Sequence, residues 1–410
     1  MEDNVTATAI SRLKSGKSPG HDKIIGEITV GLDFLTEFWK KEYLSEYIPS
    51  GGSRIQFVTG RRGSGKSHLL EYFLSGAGNY KKVFISARKV WINDFKEIFF
   101  EIIKQCDIED CLSRCGESVM RAMGFSPDEV KPVGSLTDYL TRLGINDPFT
   151  KREIRLQLNQ CFMRNPLMDN NFAIACGLLA GGQLGHPILE EPGREAVLGW
   201  MHGNKDIKLP TLRNLGMSPA RVTKHNARHM LRSLVEVVKM AGYEGIVVAV
   251  DDLDILVAKD SLEEIRYTKQ KRDDVYESMR ELIDEIDSLR NVFFLFAFDR
   301  RLIDDDRYGI KSYQALWFRI QNEIRSDRLN RFSNMIDMDQ LPVYDVNAVL
   351  EMSARVAHVM NQFGGRYTPR PLREDEAMDI LSKAGISEMS LPRRVVIATI
   401  GSEEGETYGF

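Results

Sequence analysis

The sequence lacks any hydrophobic run that approaches the roughly 20 residues of a membrane-spanning helix. Its first ten residues, MEDNVTATAI, also lack the charged segment followed by an apolar segment that is typical of a secretory signal. These two absences argue against a membrane protein and against a secreted one. We therefore expect a cytoplasmic protein.

Cysteine is scarce. The chain has five, an odd number, with no Cys-x-x-Cys pair and no histidine nearby at the spacing of a zinc site. This pattern argues against a disulfide framework and gives no support to a structural metal. We expect reduced thiols with structural roles at Cys106, Cys111, Cys115, Cys161 and Cys176.

An excess of positive charge is also missing. The chain has 55 Lys and Arg against 59 Asp and Glu, a formal net charge of -4, so it is not drawn as a whole to nucleic acid. Contact with DNA would need a local basic patch. One candidate is a predicted helical face over residues 218–242, formed by Arg221, Lys224 or His225, Arg228 and Arg232. A solvated charged face is the commoner reason for such spacing.

What the sequence does contain is the balance of a folded protein. Its 410 residues are 43% hydrophobic and 28% charged, enough for two or three packed units. Five short apolar runs predict buried strands of a parallel sheet, at residues 55–59, 83–86, 246–250, 292–298 and 335–338. Amphipathic patterns predict helices at residues 68–74, 94–105, 273–289, 346–363 and 374–384. The alternation of strands and helices predicts an α/β fold.

The strand runs also suggest how the chain is divided. Residues 1–105 would hold an N-terminal arm and the first part of the core, with a polar, mobile start up to about His21. Residues 106–233 contain no comparable strand run and predict a helical insertion. The second part of the core follows at 234–341, and residues 342–410 form a small helical unit.

Residues 60–67, GRRGSGKS, fit the phosphate-binding pattern G-x-x-x-x-G-K-[ST] between a strand and a helix. The glycines allow backbone N–H groups to point at phosphate oxygens, near the positive end of the following helix. Lys66 is expected to reach the β- and γ-phosphates, and Ser67 to ligate magnesium. The full predicted set of phosphate-site residues is Gly60, Arg61, Arg62, Gly63, Ser64, Gly65, Lys66, Ser67 and His68. The cofactors are therefore ATP and Mg²⁺.

Carboxylates that follow the third strand supply a second element. Asp251 is expected to hold magnesium through water, and Asp252 to orient and polarise the attacking water. Asp254 is a further candidate for the second role. The alternative is a group of acidic residues that only ends a strand and begins a polar loop.

With these two motifs the chain resembles the ASCE branch of P-loop ATPases, and within it AAA+ proteins of the origin-recognition type. That resemblance implies a five-stranded parallel sheet of order 5-1-4-3-2, a helical insertion and a C-terminal helical lid. A closer resemblance is to BrxD-type ATP-binding proteins of bacterial phage-exclusion (BREX) and related defence operons. It rests on segments at residues 9–16, 28–31, 200–203, 241–245 and 309–316.

The resemblance assigns further site residues. Val30 and Gly31 would touch the adenine base, unless they form a short edge strand. Asp299 stands at the sensor-1 position, and Arg393 at the sensor-2 position. Arg331 resembles an arginine finger that completes a neighbouring subunit's site. The alternative for both arginines is a solvated or salt-bridged surface residue.

Two positions depart from the family pattern. The family usually has glutamate where this chain has Asp252, whose side chain is one methylene shorter. It more often has Thr or Asn where this chain has Asp299, which adds negative charge near the phosphates. Both departures predict slow or partner-dependent hydrolysis.

The resulting hypothesis is a defence-associated AAA+ ATPase that drives or gates assembly on double-stranded DNA or with a helicase-like or other defence-operon protein. Such a protein is expected to form a homo-oligomer. The alternative is a nucleotide-gated scaffold with little intrinsic hydrolysis. A small-molecule kinase is the weakest possibility, because two carboxylates after the strand favour activation of water.

Overall fold

The computed structural model describes residues 2–20, 22–145, 148–258, 265–321, 330–341, 344–365, 368–383 and 389–401. Five strands form one sheet, and all of its pairings are parallel. The strands are β1 (Arg54–Gly60), β2 (Lys81–Ser86), β3 (Ile246–Asp251), β4 (Val292–Asp299) and β5 (Met335–Asp337). Their spatial order is β2-β3-β4-β1-β5. The predicted α/β class and the order 5-1-4-3-2, which is the same order read from the other edge, are confirmed.

Five helices belong to the first part of the chain. They are α1 (Glu2–Lys14), α2 (Asp22–Ile28), α3 (Asp33–Trp39), α4 (Lys66–Ser75) and α5 (Phe95–Gln105). A π-helical segment, Lys40–Tyr47, continues α3. Helix α4 begins directly after the phosphate-binding loop. Helix α5 is capped at its N-terminus by Asp94, whose side chain accepts a hydrogen bond from the Lys96 N–H.

Between α5 and β3, the described residues form helices and no strand. The helices are α6 (Ile108–Ala122), α7 (Pro127–Val130), α8 (Leu136–Arg142), α9 (Pro148–Leu158), α10 (Asn170–Leu184), α11 (Glu191–Met201), α12 (Leu209–Asn214) and α13 (Ala227–Met240). A continuous apolar core joins these helices to one face of the sheet. All five cysteines are free thiols, and only Cys161 is not fully buried.

Six helices complete the described chain. They are α14 (Lys269–Leu289), α15 (Arg301–Asp304), α16 (Gln314–Ile320), α17 (Val346–Phe363), α18 (Glu374–Ser382) and α19 (Leu391–Gly401). The last three pack on one another and form a small helical group. Within the described ranges, no helix combines the length and the apolar character needed to cross a membrane.

The two central strands of the sheet, β3 and β4, are covered on both faces because they are apolar over nearly their whole length. Every residue of β3 and β4 is buried. Phe294 and Phe296 of β4 point into the core shared with α5, α13 and α14. Phe293 and Leu295 point into the opposite core, with α3 and α4. This alternation is the period of two that a strand imposes on its side chains.

The N-terminal segment contains a helix, α1, that packs on other helices, a feature that the prediction of a polar, mobile start did not include. Ala9, Ile10 and Leu13 of α1 are buried against α2, α17 and α19. Among the polar residues of α1, Ala9, Ile10 and Leu13 form an apolar stripe at spacings of one, three and four residues. This spacing is typical of a helix that buries one face. Two of the helices that cover this stripe, α17 and α19, lie more than 300 residues away in the sequence.

Replacement of Phe293 by alanine tests the packing between the sheet and α3/α4. Phe293 is 0% exposed, and its ring lies 5.5 Å from the rings of Tyr43 and Phe73 and 6.3 Å from that of Trp39. We expect Phe293→Ala to lower the free energy of unfolding by about 3–5 kcal/mol, because it leaves a cavity among aromatic rings. Urea denaturation followed by circular dichroism measures the change.

The matched control is Phe318→Ala, since Phe318 is 66% exposed. This variant should remain within about 0.5 kcal/mol of the unmodified protein. Equal losses for the two variants would contradict the packing described.

Candidate functional site

The phosphate-binding loop joins β1 to α4. Three of its glycines have positive φ angles: Gly60 (154°), Gly63 (82°) and Gly65 (94°). A Cβ atom on Gly63 would lie 2.9 Å from the Cβ of Arg393, so the backbone there is also closely covered. Residues other than glycine rarely adopt such φ angles, which explains why the loop needs glycine at these positions.

Lys66 is folded back onto its own loop. Its Nζ donates hydrogen bonds to the carbonyl oxygens of Gly60 (2.9 Å) and Arg61 (2.8 Å). Burial lowers the pKa of Lys66, while the nearby carboxylates of Asp299 and Asp251 act to raise it. The ammonium group has three donors, so one remains for a ligand while the loop is held in shape.

Asp251 and Ser67, the two predicted magnesium ligands, lie close together and line the same cleft. The Asp251 side chain accepts a hydrogen bond from the Asp252 N–H at 2.8 Å, and the Ser67 side chain acts to lower the pKa of Asp251. Asp251 is only 5% exposed, and burial together with the charge of Asp252 raises its pKa to about 7. A hydroxyl and a carboxylate are hard oxygen donors that suit Mg²⁺. A bound cation would favour the ionised carboxylate.

Asp252 follows β3 in a left-handed conformation, with φ at 63°. One of its carboxylate oxygens accepts a hydrogen bond of 2.6 Å from Ser86 Oγ. The other lies 3.3 Å from Arg88 Nε. Both oxygens are therefore engaged by the end of β2 and the loop after it.

Arg88 was not singled out from the sequence. Its Nη2 also donates to Asp254 Oδ2 at 2.8 Å, so one guanidinium group links two acidic residues of the loop after β3. Burial raises the pKa of Asp254, and Arg88 opposes that shift. Arg88 reaches this site because β2 lies next to β3, with Ser86 opposite Asp251.

Asp299 ends β4, directly opposite Gly60 of β1. It is 6% exposed, and its Oδ1 accepts hydrogen bonds from Arg301 N (3.0 Å) and Arg301 Nε (3.2 Å). The sequence predicted its position beside the phosphate-binding loop, but not its arginine partner.

The C-terminal helices touch the loop through Ser390 and Arg393. Ser390 Oγ donates a hydrogen bond of 2.6 Å to the carbonyl oxygen of Arg62, and Ser390 N donates to the same oxygen at 3.4 Å. Arg393 packs over Gly63 and donates from Nη2 to the Ser15 carbonyl at 3.4 Å. Its buried Nε has no hydrogen-bond partner within the described part of the chain.

The residues predicted to line the adenine pocket are close to α4. His68 Nε2 lies 2.8 Å from Thr29 Oγ1, and burial lowers the pKa of His68 to about 4. Val30 is buried against the C-terminal helices and lines the cleft. Gly31 has a φ of 74°, and a Cβ atom there would lie 3.3 Å from the ring of Tyr344. These residues are not in a strand.

Arg331 does not join the other predicted residues. Its guanidinium stacks on the ring of Phe38, at 4.4 Å from the centroid. Arg61 likewise turns away from the cleft and interacts with Asp339, at 2.9 Å from its backbone N and 3.6 Å from its Nε. A role for Arg331 in a neighbouring subunit stays a prediction.

Most of the predicted residues border one cleft of about 2000 Å³. Those that line it are Val30, Arg62, Gly63, Ser64, Gly65, Lys66, Ser67, His68, Asp251, Asp252, Asp254, Asp299 and Arg393. Gly31, Gly60, Arg61 and Arg331 are not among its lining residues. The cleft exceeds the roughly 300–1,000 Å³ of ordinary ligand pockets, so a nucleotide would not fill it.

The predicted basic helical face over residues 218–242 is wrong. Helix α13 begins only at Ala227, after Arg221, Lys224 and His225. Arg221 donates to the carbonyl oxygens of residues 204 and 205, at 3.1 and 2.9 Å. Arg228 is paired with Glu281 and Glu285, and Arg232 donates to the Leu167 carbonyl, as shown by contacts of 2.6–3.1 Å. These two arginines bind the protein itself.

Comparison with known families is consistent with this site. The family described as BREX system ATP-binding protein BrxC/D matches residues 170–399, which is more than half of the chain. The chain belongs to the BrxC/D family. The matched range includes β3, β4, β5 and the C-terminal helices, and the phosphate-binding loop lies before it. No curated protein and no solved structure was found to match.

Membership of the BrxC/D family confirms the predicted resemblance to BrxD-type proteins. The description of the family names ATP binding, which supports ATP as the ligand predicted from the sequence. An ATP-binding family is also consistent with a P-loop fold for the α/β core.

Ser390→Ala tests the link between the C-terminal helices and the phosphate-binding loop. The substitution removes the 2.6 Å hydrogen bond to the Arg62 carbonyl. Because one such bond contributes about 1 kcal/mol, we expect ATP to dissociate roughly fivefold faster. Stopped-flow release of a fluorescent ATP analogue measures the rate.

Ser382→Ala is the matched control. Ser382 lies in α18, and its hydroxyl bonds to the Asp379 carbonyl of the same helix at 2.8 Å. We expect no change in the release rate for this variant. A Ser390→Ala protein that releases the analogue at the original rate would show that the link does not retain the nucleotide.

Proposed function

We propose that this protein is a cytoplasmic AAA+ ATPase of a bacterial anti-phage defence system. It binds ATP with magnesium in the cleft and hydrolyses it slowly, to drive or gate assembly on DNA or with a helicase-like partner. The observation that carries the proposal is the placement of Ser67 and Asp251 close together in the cleft, with Lys66 and Asp252 beside them. This combines phosphate-binding groups with carboxylates that suit a metal and a water molecule.

Each residue has a role in this proposal. The backbone of residues 60–67 and the Nζ of Lys66 bind the β- and γ-phosphates. Ser67 and Asp251 hold magnesium, which supplies positive charge against the phosphates when it is bound. Asp252 polarises the attacking water once its carboxylate has broken its contacts with Ser86 and Arg88.

The AAA+ assignment rests on the sheet order and on the helices around it. In this proposal residues 1–105 hold an N-terminal arm and the first part of the ATPase core, residues 234–341 hold its second part, and residues 106–233 are a helical insertion. Residues 342–410 act as a lid, which is supported by the contacts of Ser390 with Arg62 and of Arg393 with Gly63. In this role Arg393 senses the bound nucleotide.

Assembly is the part of the proposal furthest from the observed contacts. Arg331 stacks on Phe38 outside its own cleft, which suits a residue that acts on a neighbouring copy. The partners proposed are further copies of this chain and a helicase-like or other defence-operon protein. For DNA, Arg228 and Arg232 lend no support because they are bound within the protein.

One observation favours the second candidate function, a nucleotide-gated scaffold with little hydrolysis. Both carboxylate oxygens of Asp252 are engaged, one by Ser86 at 2.6 Å and one by Arg88 at 3.3 Å. A base held in this way does not reach the water until those contacts break. ATP binding alone would then change the assembly.

Two substitutions separate binding from hydrolysis. Lys66→Ala removes the phosphate-binding ammonium, and we expect ATP affinity to fall by roughly tenfold to a hundredfold. Asp252→Asn keeps the shape of the side chain and removes the base. We expect its ATP affinity to stay within about threefold and any turnover to fall by roughly 10²-fold or more. Isothermal titration and phosphate release measure the two quantities.

The same proteins decide between the two candidate functions when their mass is recorded with ATP. Turnover that double-stranded DNA stimulates, together with a larger assembly, would support the ATPase reading. Assembly with ATP that persists in Asp252→Asn and is lost in Lys66→Ala would support the scaffold. Wild-type turnover above about 10 per second would contradict slow hydrolysis.

A further inference from the structure

Asp299 is a buried carboxylate beside the phosphate-binding loop. It lies opposite Gly60 in the sheet, and among the charged groups it is the one that most raises the pKa of Lys66. A negative charge in this place repels the phosphates of a nucleotide. Asp299 is therefore poorly suited to bind the γ-phosphate itself.

The structure gives this carboxylate a different task. Oδ1 of Asp299 accepts hydrogen bonds from both the backbone N–H and the Nε–H of Arg301, at 3.0 and 3.2 Å. These two bonds to one oxygen hold the backbone N and the Nε of Arg301 in place. The remainder of the guanidinium extends into solvent, since the side chain is 69% exposed.

Arg301 lines the same cleft as Lys66 and Ser67. Its Nε–H, one of the five N–H donors of a guanidinium, is given to Asp299. A guanidinium presents its terminal N–H groups as a fork that matches phosphate oxygens. The guanidinium of Arg301 therefore lines the cleft as a cation, and the buried carboxylate of Asp299 orients it.

Arg300, the neighbouring arginine, has the opposite orientation. It is paired with Asp337, and its Nη2 lies 3.7 Å from Asp339 Oδ2. It is not among the residues that line the cleft. Only one of the two consecutive arginines is therefore available to a ligand there.

We propose that Arg301 contacts the γ-phosphate of ATP and distinguishes ATP from ADP, and that Asp299 is the positioning residue that holds it. This inference rests on the proposed ATP site. It assigns the recognition of the terminal phosphate to Arg301 instead of to the carboxylate at the end of β4.

The test compares the affinities for magnesium-bound AMPPNP, a non-hydrolysable ATP analogue, and for magnesium-bound ADP. Isothermal titration of the full chain gives both dissociation constants. We expect Arg301→Ala to weaken AMPPNP binding by about tenfold or more and ADP binding by less than about twofold. Equal weakening of both nucleotides, or of neither, would overturn the proposal.

Arg307→Ala is the matched control. Arg307 lies shortly after α15, the helix that begins with Arg301, and stacks on Tyr308 at 4.9 Å from the ring centroid. It is not among the residues that line the cleft. It should leave both affinities within about twofold, whereas a loss equal to that of Arg301→Ala would show a general effect of surface charge and overturn the assignment.

The positioning role of Asp299 is tested by a double-mutant cycle. In an Asp299→Ala background Arg301 is no longer held, so its removal should change the AMPPNP to ADP ratio by less than about threefold. Asp299→Asn keeps an Oδ1 acceptor and should retain the discrimination. If Arg301→Ala has its full effect without Asp299, the carboxylate does not position the arginine.

If the proposed ATP site itself were wrong, the binding measurements would give a different result. If the wild-type protein bound neither nucleotide, or if Lys66→Ala bound both as well as wild type, the proposed function itself would be wrong. A wild-type protein that requires Lys66 for both nucleotides, but whose Arg301→Ala variant keeps its preference for AMPPNP, would refute only the present inference.

Discussion

The burial of Asp251 is the constraint on which the rest of the site depends. A carboxylate that is 5% exposed is costly to ionise unless hydrogen bonds or positive charge compensate it. Here the compensation comes from the Ser67 side chain and the Asp252 N–H. Both must be held in place, which requires α4 to start directly after the loop that follows β1 and requires β3 to lie within reach. The parallel sheet meets this requirement because it brings the carboxyl ends of its strands to one edge.

Much of this arrangement could be predicted from local sequence. The apolar runs of β3 and β4 are buried on both faces, so their composition alone marks them as central strands. The glycines of the phosphate-binding loop indicate positive φ angles that other residues avoid. In both cases one segment carries its own signal, and no knowledge of distant residues is needed.

Other features depended on contacts between distant parts of the chain, and sequence could not provide them. Arg88 is two residues beyond β2, but its partners Asp252 and Asp254 follow β3. Ser390 bonds to a carbonyl oxygen 328 residues earlier. The basic residues near α13 were misread for the same reason, because Glu281 and Glu285 of α14 bind Arg228. A side chain's charge is visible in a sequence, but the group that neutralises it is not.

The packing of α1 on α17 and α19 places the earliest and the latest described helices in one apolar cluster. During synthesis, Ala9, Ile10 and Leu13 leave the ribosome long before Val356 and Ile400, with which they are buried. Contacts of such long sequence separation form late, after the loop-closure entropy has been overcome. The α/β core can therefore form while α1 is still exposed, and the cleft acquires its final walls only when translation has passed residue 400.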